Sequence, residues 1–96
     1  MNAKPLTIAL DFDDTFTADP ELWTEFIGRA KANGHRVVCV TGRHYSPEDK
    51  AELKAALPAG VPIYFTEQES KTWYMAGKEV ISIWIDDNPR AVVHGH

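Results

Sequence analysis

The chain has 96 residues, 44% of them hydrophobic and 25% charged, with a formal net charge of −4 at pH 7. This length predicts one domain over residues 1–96, and the acidic balance argues against an extended nucleic-acid partner, which usually needs a basic surface. No stretch approaches the ~20 apolar residues of a membrane span, and the first apolar stretch is too short for a signal peptide. The single Cys39 lies in the apolar run VVCV and indicates a buried thiol in a reducing compartment. Together these observations predict a cytoplasmic protein without a membrane partner.

Four short segments of the chain are rich in apolar and β-branched residues and show little alternation with polar ones. Such continuous apolar runs are typical of strands that are covered on both faces. The segments are 6–12 (LTIALDF), 35–41 (HRVVCVT), 61–66 (VPIYFT) and 80–86 (VISIWID).

Helical patterns separate these four predicted strands. The first helix has Asp19 and Pro20 as good N-cap and N1 residues and ends at Asn33-Gly34. The others are expected to open at Ser46-Pro47-Glu48-Asp49, at Thr66-Glu67-Gln68-Glu69 (ending near Gly77) and, as a short turn, at Asn88-Pro89. The alternation of strands and helices predicts an α/β fold, with a parallel sheet and right-handed crossovers.

Polar residues end each predicted strand, at the edge where parallel α/β sheets bind ligands. In chain order they are Asp11, Asp13 and Thr15; Thr41, Gly42 and Arg43; Thr66 and Glu67; and Asp86, Asp87 and Asn88. If the first and last strands are neighbours, four carboxylates converge there and raise one another's pKa values unless a cation neutralises them. Such hard oxygen ligands at an open site favour Mg²⁺.

Each of these features also has a purely structural interpretation when taken alone. A DxD sequence after a strand is usually a turn, DDNP is a good helix start, and a lone Lys71 would be a solvated lysine. Lys78 competes with Lys71 as the cation of the site, but it follows Gly77 and is expected at the opposite edge of the sheet. The functional hypothesis depends on all the motifs occurring together and in order.

In this combination the chain resembles the haloacid dehalogenase (HAD) superfamily of phosphohydrolases. DFDDT at 11–15 matches the nucleophile motif, VTGR at 40–43 the second motif, Lys71 the third and IDDN at 85–88 the fourth. The resemblance spans residues 6–88. It implies a Rossmann-like three-layer α/β/α fold of about four parallel strands in the order 4-1-2-3, and a Mg²⁺-dependent phosphomonoester hydrolase that forms an aspartyl-phosphate.

The resemblance also implies a role for each motif residue. Asp11 would be the nucleophile, and Asp13 the general acid that then acts as base. The metal would be held by Asp11, Asp86 and the backbone carbonyl of Asp13, with Asp87 acting nearby or through a water. Phosphate contacts would come from Thr15, Thr41, Gly42, Arg43 and Lys71, and Thr15 would also brace the motif loop.

The chain departs from the family pattern at two places. The gaps after Thr15 and between Arg43 and Lys71 are too short for the usual cap domain, so we expect a capless member with an open site. Its substrate would be a small phosphorylated molecule, such as a nucleotide or sugar phosphate, or an exposed phosphate on a macromolecule. The last strand, with Trp84, is expected to form an exposed edge that contacts a second copy or is covered by the chain's end.

Several expectations concern residues outside the motifs. His44 and Tyr45 are candidate substrate contacts together with Arg43, Trp23 is expected in the core, and His94 and His96 at a solvated end. Two other functions stay open: a signalling receiver domain, although its phospho-acceptor position holds Thr66-Glu67, and a non-catalytic phosphate-binding, metal-binding or assembly protein.

Overall fold

The structure, a computed structural model, describes residues 4–95, and its strands and helices alternate along the chain as predicted. In chain order they are β1 (Thr7–Leu10), α1 (Pro20–Ala32), β2 (Arg36–Thr41), α2 (Pro47–Ala56), β3 (Ile63–Phe65), α3 (Lys71–Met75), β4 (Ile83–Ile85) and α4 (Pro89–Val93). A π-type turn at Phe12–Phe16 follows β1. Among residues 4–95, no helix has the length and apolar character that crossing a membrane requires.

All four strands are parallel and form one sheet, which confirms the predicted α/β class. The strand order is β3-β2-β1-β4, which from the other edge is β4-β1-β2-β3. Ala9 of β1 lies between Val38 of β2 and Trp84 of β4. The carboxyl end of β1 therefore lies between those of β2 and β4.

Apolar side chains fill both faces of the sheet, because successive strand residues point to opposite sides. On one face Leu10 and Cys39 pack with Ile27 of α1 and Leu53 of α2, and Trp23 covers this cluster as predicted. On the other face Val38 and Val40 pack against Met75 of α3. Helices therefore cover both sides of the sheet.

The third helix begins later than the sequence pattern predicts. It starts at Lys71 rather than near Thr66, because Glu67 and Gln68 have φ values of 54° and 69°, in the left-handed region that a helix cannot contain. Ser70 caps the helix instead by accepting a hydrogen bond from Trp73 N. The prediction of a helix opening at Thr66-Glu67 was wrong.

The last strand is shorter than the apolar run that predicted it. It begins at Ile83 rather than Val80, whose side chain is 89% exposed. β4 lies at a sheet edge among the described strands, and Trp84 packs partly against the α3 face of the sheet. His94 is exposed after α4, whereas His96 lies outside the described residues.

Candidate functional site

The carboxyl ends of β1 and β4 place two aspartates side by side. Asp11 follows β1, and its backbone N–H donates to Ile85 O at 2.9 Å, which ties the two strand ends together. Asp86 follows β4, and its Oδ1 accepts a hydrogen bond from Asn88 N at 2.9 Å. The sheet edge therefore fixes the backbone of Asp11, and a backbone N–H orients the carboxylate of Asp86.

Lys71 bridges these two aspartates from the first position of α3. Its Nζ donates to Asp11 Oδ1 at 2.8 Å and to Asp86 Oδ2 at 2.6 Å, and the residue is only 2% exposed. Lys78, the competing cation, instead donates to Tyr74 O and lies over the Tyr74 ring. Of the two lysines, Lys71 is thus the one that the fold buries among the motif acids.

Thr15 links Asp11 to Asp87, the third carboxylate of the cluster. Its hydroxyl lies 3.1 Å from Asp11 Oδ2 and 3.0 Å from Asp87 Oδ1, and it accepts a hydrogen bond from Asp87 N. Because a hydroxyl has one proton, it donates to one of these carboxylates at a time. These contacts tie the turn after β1 to the segment that follows β4.

Burial and hydrogen bonding move the pKa values of this cluster in opposite directions. Burial raises the pKa of Asp11 to about 6, although Lys71 works against this rise. A hydrogen bond shared with Asp11, aided by Thr15, holds the pKa of Asp87 below its usual value. Asp11 therefore takes up a proton more readily than Asp87 does.

Asp13 faces away from this cluster and pairs with Arg43. The Nε and Nη2 of Arg43 each donate to the Asp13 carboxylate at 2.8 Å, which lowers the pKa of Asp13. Arg43 also contacts Glu52 at 3.0 Å and Asp49 at 3.3 Å, both on α2. Arg43 is the predicted phosphate contact, but in this structure its guanidinium is already paired with carboxylates of the protein.

The π-type turn shapes the backbone around Asp11 and Asp13, whose carboxylates have different partners. Phe16 N donates to Asp11 O and Thr17 N to Phe12 O, and Asp14 adopts φ 63° between them. Aspartate tolerates this left-handed conformation better than most residues. The chain thereby turns sharply after Asp13, whose carboxylate pairs with Arg43, whereas that of Asp11 pairs with Lys71.

The predicted residues surround one cavity of about 300 Å³ at this edge of the sheet, the lower end of the range for small-molecule sites. Its lining includes Asp11, Asp13, Thr41, Gly42, Arg43, Lys71, Asp86, Asp87 and Asn88. Thr41 is 1% exposed, and its Oγ1 accepts a hydrogen bond from Arg43 N at 3.3 Å. Thr15 is not among the residues that line the cavity, and Tyr45 packs on Phe65 in a different groove.

Gln68 is a cavity residue that the sequence did not indicate. Its side-chain Nε2 and its backbone N both donate to Gly42 O at 2.8 Å. In sequence, Gln68 looked like part of a helix start, and nothing in the pattern TEQE predicts its left-handed φ. Gly95 packs closely against this loop. A Cβ at Gly95, whose φ is +83°, would lie 2.8 Å from Gln68 O, so only glycine fits there.

The donor set of the cluster suits a hard divalent cation. Oxygens of Asp11, Asp86 and Asp87 all lie within 4.8 Å of one another. Mg²⁺ commonly takes one or two carboxylates together with waters or phosphate oxygens, which these three residues and the cavity can offer. The Asp13 carboxylate lies outside this group, since Arg43 holds it.

Comparison of the chain with protein-family models, curated proteins and solved structures finds no match. The functional inference therefore rests on the motif residues and on the geometry of this site.

Proposed function

We propose that the protein is a Mg²⁺-dependent phosphomonoester hydrolase of the HAD type that acts through an aspartyl-phosphate on Asp11. The observation that supports this most is the buried Lys71, whose ammonium bridges Asp11 and Asp86 at the base of a cavity. A lysine is rarely buried without a role that compensates its desolvation. The fold proposed with this function is Rossmann-like, and the single buried Cys39 suggests a reducing, cytoplasmic compartment.

The three clustered aspartates are the proposed Mg²⁺ ligands. Asp11 and Asp86 would hold the ion with the backbone carbonyl of Asp13, and Asp87 would act nearby or through a water. Three carboxylates and one ammonium leave an excess of negative charge that a divalent cation would offset. The bound ion would stabilise the negative charge of the phosphoryl group during transfer.

Asp11 is the proposed nucleophile in two balanced steps. A carboxylate oxygen of Asp11 attacks phosphorus, the bond from phosphorus to the substrate oxygen breaks, and the leaving oxygen receives a proton from Asp13. A water then gives a proton to Asp13 and attacks phosphorus, the bond from phosphorus to the Asp11 oxygen breaks, and inorganic phosphate leaves with the Asp11 carboxylate restored. Lys71 and Thr41 would stabilise the phosphoryl charge with donors already in place, as preorganised sites do.

The Asp13–Arg43 pair constrains the acid step. Arg43 stabilises the ionised form of Asp13, which suits the base that activates water but opposes the acid that protonates a leaving group. Asp13 would therefore turn from Arg43 toward the substrate before the first step. The same pair favours the second candidate function, a non-catalytic phosphate- or metal-binding protein in which Asp13 stays on Arg43.

Phosphate release from p-nitrophenyl phosphate, nucleotides and sugar phosphates tests the proposal, with Mg²⁺ and with a chelator. Asp11→Asn should abolish release. The matched control is Asp19→Asn, the same substitution at the N-cap of α1, where Asp19 accepts from Leu22 N and asparagine caps equally well. Release that survives Asp11→Asn would refute the mechanism. No release by folded wild-type protein would favour the non-catalytic function.

Binding of the metal can be measured apart from turnover. Mg²⁺ at about a hundredfold over its dissociation constant should stabilise the wild-type protein by about 2.7 kcal/mol against urea. Asp86→Asn should remove most of this gain, whereas Asp19→Asn should keep it. An equal gain in Asp86→Asn would contradict the proposed ligand set.

A further inference from the structure

The strand β3 has one side without a partner strand among residues 4–95. On the other side, next to β2, Pro62 O accepts a hydrogen bond from Cys39 N, and Thr66 N donates one to Thr41 O, each at 2.8 Å. Because successive strand residues direct their backbone groups to opposite sides, those of Ile63 and Phe65 point away from β2. This edge can therefore offer two N–H and two C=O groups to a further strand.

A groove of about 800 Å³ runs along this edge between α2 and α3. Lys50 and Lys54 of α2 line one side, and Trp73 and Tyr74 of α3 line the other. The Trp73 side chain is 68% exposed, which is unusual for an indole. The groove thus combines an open strand edge, two basic side chains and an exposed aromatic surface.

Sheet edges are usually protected by charged side chains, bulges or prolines on the strand. The three residues of β3 are Ile-Tyr-Phe and carry no charge, and Pro62 lies just before them. The shortness of β3 limits nonspecific pairing, but its uncharged outer edge beside exposed apolar surface is an arrangement by which folded domains bind extended peptides as an added strand.

The charges of the groove indicate which peptide would fit. Lys50 and Lys54 are one helical turn apart, and neither forms an ion pair with a carboxylate of residues 4–95. A strand added to β3 would place alternate side chains toward α2 and toward α3. Glu67 and Glu69 also line the groove, beyond the carboxyl end of β3, and they repel acidic groups there. The acids of a bound segment are therefore expected beside α2, where the two lysines lie.

We propose that the β3 edge binds an extended segment of a partner protein in which acidic side chains facing α2 alternate with apolar side chains facing α3. Backbone hydrogen bonds to Ile63 and Phe65 hold the segment, Lys50 and Lys54 pair with its acids, and Trp73 packs on its apolar residues. This binding does not depend on the proposed phosphatase activity, and its test measures binding alone.

The probe is a fluorescein-labelled peptide of about ten residues that alternates glutamate and valine, long enough to span the edge. Fluorescence anisotropy should detect its binding, and hydrogen exchange at Ile63 and Phe65 should slow when it is bound. A peptide with proline in place of the central valines should lose binding, because proline lacks the N–H that an added strand needs. A peptide with lysine in place of glutamate should also bind more weakly.

Variants of the protein test the role of the two lysines. The double variant Lys50→Glu with Lys54→Glu should weaken binding of the glutamate-valine peptide by about tenfold or more, since two exposed ion pairs become repulsive. The control with the same net charge, Lys4→Glu with Arg29→Glu, changes exposed residues away from the groove and should bind as the wild type does.

Three outcomes would overturn the proposal. The first is that the folded wild-type protein binds no peptide at millimolar concentration, and the second is that neither the lysine reversal nor the proline peptide weakens binding. The third is that another occupant takes the groove: a single-stranded oligonucleotide that binds more tightly through the same lysines, or a second copy that protects Ile63 and Phe65 without peptide.

Discussion

Removing the ammonium of Lys71 should destabilise the fold in a way that depends on pH. Lys71→Met leaves the Asp11 and Asp86 carboxylates, whose side chains are 9% and 4% exposed, facing each other without a cation. Removing one partner of a buried ion pair typically costs about 3–5 kcal/mol. We expect a cost in this range at about pH 8 with chelator present, where Asp11 of the wild-type protein is ionised.

At lower pH the same substitution should cost less. Burial already raises the folded-state pKa of Asp11 to about 6, and Lys71 opposes this rise. An acid with a raised folded pKa contributes its full stability below the unfolded pKa and loses it as pH rises through the folded value. Losing Lys71 raises that folded pKa further, so the cost of the variant grows from about pH 5 to about pH 8.

Urea denaturation followed by tryptophan fluorescence at both pH values measures this effect. The control is Lys78→Met, where an exposed lysine loses a backbone hydrogen bond and a cation–π contact worth about 0.5–1 kcal/mol. A cost for Lys71→Met that is no larger than this, or one that does not grow with pH, would refute the inference that Lys71 compensates the two buried acids.

Three further predictions concern stability and reactivity. Gly95→Ala should destabilise the protein by more than about 1 kcal/mol in urea denaturation, because the new Cβ would clash with the loop before α3. Gly28→Ala is the control: its Cβ would meet nothing within 4 Å, so it should stabilise α1 by about 0.5–1 kcal/mol. The hydrogen bond from Arg36 holds the pKa of Glu79 below its usual value, so this pair adds stability near neutral pH that is lost as pH falls through the lowered pKa. Glu79→Gln should therefore cost up to about 1 kcal/mol near neutral pH and progressively less in acid, and a cost unchanged at low pH would contradict the pairing. Burial raises the pKa of the Cys39 thiol to about 12, so a disulfide reagent should modify it only when the protein unfolds; fast labelling of folded protein would contradict its burial.

The edge of the sheet where the acids meet could be predicted because it follows from topology alone. Parallel strands bring their carboxyl ends to one edge, so acids that end the first and last apolar runs must converge once β1 and β4 are neighbours. Lys71 was harder to place, since it lies 60 residues from Asp11 and only the position of α3 brings it between Asp11 and Asp86.

The partners of Asp13 and Gln68 could not be predicted from sequence. Arg43 can turn toward a substrate or toward Asp13, and the choice depends on Glu52 and Asp49, which the packing of α2 places beside it. Gln68 lies in a stretch with helical character, but two hydrogen bonds to Gly42 O hold it in a left-handed turn. In both cases a tertiary contact outweighs the local pattern.

The two basic side chains that line the cavity of the candidate site, Lys71 and Arg43, are both paired with carboxylates of the protein. A phosphate dianion that enters would therefore meet an excess of acidic groups unless a divalent cation binds or Arg43 leaves Asp13. Since the pairs of Lys71 are buried and those of Arg43 are partly exposed, Arg43 is the cation that can exchange partners at lower cost. Binding of inorganic phosphate should then require Mg²⁺ in the wild-type protein, and Arg43→Gln should weaken it only if Arg43 turns to the phosphate.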